Sequence, residues 1–85
     1  MKHDNSEEHE RAAEAHAHAA QLHERAAVLQ KQHADEMRHS GRTGSAERAE
    51  ILAARERNLA LEERLGEEHE RNLAQPMQEP PGAAT

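Results

Sequence analysis

Eight histidines, His3, His9, His16, His18, His23, His33, His39 and His69, are the residues in this 85-residue chain with the most chemical potential. Imidazole is the commonest metal ligand and changes charge near neutral pH. Two histidines on a helix share a metal only when they lie three or four residues apart. No pair in this chain has that spacing. His16 and His18 project about 200° apart on a helix. The best helical half-sites are Glu14 with His18, Asp35 with His39 and His33 with Met37, each offering two ligands where a closed zinc site takes four. The expectation is adventitious Ni, Cu or Zn binding by surface imidazoles, and no cofactor.

One metal motif is independent of any helix. Met1-Lys2-His3 resembles the amino-terminal copper and nickel motif of some albumins and salivary peptides. The resemblance covers three residues and implies a square plane of four nitrogens: the terminal amine, two backbone amides and the His3 imidazole, a geometry suited to Cu(II) or Ni(II). Met1, Lys2 and His3 are therefore the candidate metal residues.

No catalytic residue is expected. Ser6, Ser40, Thr43, Ser45 and Thr85 fall at expected caps, loop or tail, where turn formation accounts for them. Phe, Tyr, Trp and Cys are all absent. No bulky apolar wall is therefore available to exclude water or move a carboxyl pKa. The Ser40–Ser45 segment lacks the Gly-Lys-Ser/Thr ending of a phosphate loop.

The elements that hold these side chains follow from composition and period. Lys and Arg number 11 against 17 Asp and Glu, a formal charge of −6, which argues against nucleic acid as a partner. The hydrophobic fraction is 34%, most of it Ala, and the mean hydropathy is −1.18. No apolar run is long enough for a signal peptide or a membrane span, so the cytoplasm is the expected location. The preference for Arg over Lys, with abundant Ala, resembles the coding bias of a GC-rich bacterial genome.

From His9 the chain reads HERAAEA, HAHAAQL, HERAAVL, QKQHADE, and from Ala46 AERAEIL, AARERNL, ALEERLG, EEHERNL. A seven-residue period is two turns of helix. The sequence predicts a coiled-coil-like, all-α antiparallel helical hairpin: a flexible N-terminus over 1–5, a helix over about 6–39, turn formers from Ser40 to Ser45, a helix over about 45–74, and a disordered tail over 75–85. Ser45 or Gly44 is the expected cap of the second helix. On the first helix the expected seam is Ala12, Ala15, Ala19, Leu22, Ala26 and Leu29, at coiled-coil spacing. On the second it is Ile51, Leu52, Leu59, Leu61 and Leu65. His9, His16 and His23 recur beside this seam, so packing is expected to desolvate them and acid to loosen the association.

So thin a seam supports a lone hairpin weakly. The expected function is that of a small helical interaction protein without catalytic activity, self-associating or binding a helical partner. The alternative is a His-rich buffer of transition metals or protons.

Overall fold

The computed structural model describes residues 6–74, and among these it contains two helices and no strand. α1 spans Ser6–His39 and α2 spans Thr43–Ala74, leaving only Ser40, Gly41 and Arg42 between them. The helices run antiparallel along each other as a hairpin, the fold expected from the two periodic segments. Residues 1–5 and 75–85 lie outside the described residues, and with them the expected N-terminal flexibility, tail disorder and the Met1-Lys2-His3 motif.

Both helices are built from strong helix formers, Ala, Glu, Leu and Arg, with no proline inside either. Glu7 and Glu8 sit in the first turn of α1, where the positive end of the helix dipole favours anions. Arg38 and His39 occupy its last turn, next to the unsatisfied carbonyls.

The turn is shorter than the run of turn formers suggests. Gly41 adopts φ 78°, the left-handed region that side chains with a Cβ avoid. Its N–H donates to the Arg38 carbonyl at 3.0 Å, and the Arg42 N–H donates to the Met37 carbonyl at 2.7 Å. These two bonds are the Schellman pattern, which reverses the chain directly after a helix. The Ala46 N–H already donates to the Arg42 carbonyl at 3.0 Å, so Thr43, Gly44 and Ser45 form the first turn of α2. Ser45 is consequently not the cap expected from sequence; its hydroxyl instead accepts from Arg48 at 3.4 Å.

Among the described residues, the buried part of the contact between the helices is made of alanine. Ala13, Ala20, Ala27 and Ala34 on α1 face Ala46, Ala49, Ala53 and Ala60 on α2, and these eight are the buried residues of the hairpin. The α1 row is spaced by seven throughout, and on α2 Ala46, Ala53 and Ala60 keep that spacing with Ala49 added between the first two. Burying a methyl group contributes about 0.8 kcal/mol, so this core is thin however well it fits. Near the turn, Ala34, Ala46 and Ala49 form a small cluster with Met37 packed against it.

This arrangement corrects the expected seam. Ala12, Ala19, Ala26 and Leu59 are half-buried at the edge of the contact. Ala15, Leu22, Leu29, Ile51, Leu52, Leu61 and Leu65 are exposed and do not close the hairpin. The cause is the polar pairing on both sides of the alanine rows. Cross-helix hydrogen bonds fix the rotation of each helix with the small residues inward, and the leucines turn to the outer surfaces.

Candidate functional site

Along one edge of the alanine contact, three histidines of α1 meet three glutamates of α2. His9 Nδ1 lies 2.6 Å from Glu70 Oε2, His16 Nδ1 2.6 Å from Glu63 Oε2, and His23 Nδ1 2.5 Å from Glu56 Oε2. A carboxylate only accepts, so in each pair the imidazole Nδ1–H donates. Each step moves seven residues up α1 and seven down α2, which repeats one geometry every two turns. The pairs are half-buried: the His side chains are 31–38% exposed and the Glu side chains 21–30%. The imidazoles thus face carboxylates across the contact.

The opposite edge carries guanidinium and ammonium groups. Arg64 donates to Glu24 across the helices at 2.7 Å, and Arg38 contacts Glu50 at 2.5 Å. Arg64 also donates to Glu67 at 3.1 Å, and Arg71 donates to the same carboxylate at 2.9 Å. The Arg71 guanidinium, with Arg64 beside it, holds the Glu67 carboxyl below its ordinary value. Arg38 does the same to Glu50 through its hydrogen bond. Lys31 and Arg57 also lie on this edge, where they share a groove with Glu50 and their charges help hold its carboxyl below its ordinary value. A groove of about 490 Å³ runs here between Val28 and Leu61, rimmed by Glu24, Lys31, Arg57 and Arg64.

The two broad faces of the hairpin therefore differ. On the histidine side, α1 presents the half-buried Ala12, Ala19 and Ala26 with Leu22 and Leu29 beyond them. On the same side α2 presents Leu52, Leu59, Gly66 and Leu73, the row one step out from its glutamates at the same seven-residue period. Two contacts fix this placement. Near the turn a shallow groove is lined by Leu29, Gln30, Ala49 and Leu52 together. Farther along, the His16 ring lies directly over Gly66, where an added Cβ would sit 3.0 Å from it. On the arginine side the apolar residues are Val28 and Leu61, with Ile51 and Leu65 toward the back of α2. The layer of two helices is only 12 Å deep in its thinnest dimension, so both faces open to solvent.

The remaining helical histidines, His18, His33, His39 and His69, are exposed. No group of three or more His, Asp or Glu among the described residues is placed to hold a metal ion. Among those same residues no helix is long and apolar enough to cross a membrane. The pairing of His9, His16 and His23 with Glu70, Glu63 and Glu56 is the part of the site that reading the helices singly misses. Its signal is present in the sequence: the residue numbers of the three pairs have a constant sum, as two seven-residue columns running in opposite directions require. Comparison of the chain with protein-family models, with curated proteins and with solved structures finds no match in any of the three.

Proposed function

We propose that this chain is a helical association module, a hairpin that buries its outer aliphatic residues against another helical surface and performs no catalysis. The observation that carries this reading is where the large aliphatics stand. Of the nine Leu, Ile and Val residues, eight are exposed, from Leu52 at 43% to Leu65 at 66%, and only Leu59 is half-buried. The hairpin's own core holds only alanine. Exposed single leucines are ordinary on protein surfaces, but a chain that exposes nearly all of them has its apolar area arranged for something outside itself.

The chemistry of the surfaces supports the same reading. The grooves along the hairpin are shallow and open, without the enclosing apolar walls that reaction sites use to exclude water. Metal or proton buffering would draw on the His–Glu pairs, each of which offers two donors where a zinc site takes four. Association is the reading taken.

The test is sedimentation equilibrium of the full chain combined with circular dichroism over a dilution series. The expected result is a mass above that of one chain, with helicity falling as the complex dissociates. A chain that stays monomeric at every concentration and binds no helical partner, while remaining fully helical, overturns the reading.

A further inference from the structure

We infer that the occupant of the histidine face is a second copy of this chain, stacked about a two-fold axis parallel to the helices so that the turns of both copies lie at the same end. The inference rests on the association reading above and adds to it the face, the partner and the orientation.

The choice of face follows from the columns one step out from the alanine contact. On the arginine side these carry Glu14, Gln21 and Asp35 beside Val28 and Glu47 and Glu68 beside Leu61, all exposed, and covering them would strip four carboxylates of water. A second copy stacked there in the same way would also bring Lys31 of one chain over Arg57 of the other. On the histidine side the same columns hold Ala12, Ala19, Ala26 and His33 on α1 and Leu52, Leu59, Gly66 and Leu73 on α2, with no carboxylate among them, while the central line pairs His9 with Glu70, His16 with Glu63 and His23 with Glu56 and Arg48 borders the groove near the turn. Aliphatic rows flank that line on both helices, with Leu22 and Leu29 on one side and Leu52 and Leu59 on the other.

The choice of axis follows from complementarity. A two-fold contact uses the same patch on both copies. An axis lying across the helices sets α1 over α1, imidazole upon imidazole and carboxylate upon carboxylate. An axis along the helices keeps each residue at its own height and sets α1 over α2 of the second copy. The imidazole line of each chain then lies over the carboxylate line of the other. In each imidazole, Nε2 has no hydrogen-bond partner among the described residues; with Nδ1–H donating, it donates to that second carboxylate only when the ring carries a second proton. Shape agrees with charge. At matching heights, Ala19 faces Leu59 of the second copy and Ala26 faces Leu52, a large side chain over a small one, which is how helical layers interdigitate.

Two measurements on the full chain test this. The first is the mass of Ala26→Glu and Val28→Glu, which place a carboxylate on the histidine and arginine faces respectively. Ala26→Glu should weaken dimerisation by at least about tenfold and Val28→Glu should leave it nearly unchanged. The second is the distance between spin labels on Thr43→Cys, the first residue of α2 beside the turn. Turns at one end give a separation under about 30 Å, whereas turns at opposite ends of helices roughly 50 Å long give a much greater one. A dimer broken by Val28→Glu and not by Ala26→Glu, or one with widely separated labels, overturns this inference and leaves the association reading standing. A chain that is monomeric throughout overturns the inference too, and a helical partner of another kind then decides the broader reading.

Discussion

His16 of α1 lies across the backbone of α2 at Gly66, so close that a Cβ there would stand 3.0 Å from both Cε1 and Nδ1 of the ring. The same imidazole donates to Glu63 one turn away. Glycine inside a helix costs about 1 kcal/mol relative to alanine, and here the missing side chain leaves the room in which the His16 ring lies against α2.

Gly66→Ala therefore has two opposed effects. It gains about 1 kcal/mol of helix propensity and displaces the His16 ring, which weakens a hydrogen bond whose net contribution is on the order of 1 kcal/mol. In the parent chain the two should nearly cancel. In a His16→Ala background only the gain remains, so Gly66→Ala should stabilise by about 1 kcal/mol. Thermal unfolding of the four variants measures the difference, and strict additivity would mean that the ring and Gly66 do not interact.

The His–Glu ladder predicts a reciprocal exchange. His16→Glu alone sets two carboxylates against each other across the helices and should lower helicity at pH 7. Glu63→His alone sets two imidazoles together and leaves both without an acceptor carboxylate. Combining the exchanges rebuilds the pair in the opposite direction, and helicity should recover most of what either single variant loses. The coupling should be about 0.5–1.5 kcal/mol. No recovery in the double variant would refute the register observed here.

Two seven-residue periods, a proline-free interior and a single glycine-bearing break were enough to read the hairpin from the sequence. The seam was legible only in part. Coiled-coil reasoning looks for the columns that hold the large aliphatics, and those columns contain Leu22, Leu29, Ile51 and Leu65, all exposed. The contact instead follows Ala13, Ala20, Ala27 and Ala34, whose side chains carry almost no hydrophobic signal. What selects them is polar: His16 must reach Glu63 on one edge while Glu24 reaches Arg64 on the other, and both are satisfied only with the column between them facing inward. That constraint belongs to the two helices together. The glutamates at 56, 63 and 70 are conspicuous in the sequence as neighbours of Arg57, Arg64 and Arg71, and become ladder partners only when the helices are laid antiparallel.

Acid should unfold the hairpin partly through the arginine edge. Glu67, bound by Arg71 and Arg64, and Glu50, bound by Arg38, are held below the ordinary carboxyl value of 4.5. A carboxyl lowered in the folded state binds more protons when unfolded, so its stabilisation is complete above the unfolded value and disappears as pH falls through the folded one. The loss is expected below about pH 4.5. Glu67→Gln removes the titrating group and should flatten helicity against pH in that interval while lowering it at neutral pH. An unchanged acid limb in both Glu67→Gln and Glu50→Gln would show that these pairs do not contribute.

The two glycines at the turn should answer alanine in opposite ways although neither is crowded. An added Cβ meets nothing within 4 Å at Gly41 or at Gly44. At Gly41 the backbone itself is the obstacle, because φ 78° is the conformation that places the Schellman bonds to Arg38 and Met37. Gly41→Ala should destabilise by about 1–2 kcal/mol. Gly44 lies in the first turn of α2 without a positive φ, so Gly44→Ala restricts only the unfolded chain and raises helix propensity. It should stabilise by about 0.4–1 kcal/mol. Chemical denaturation of the two variants decides the matter: opposite signs place the reversal at Gly41 with Thr43 already helical, whereas a loss of stability in Gly44→Ala would mean that the turn extends to Ser45.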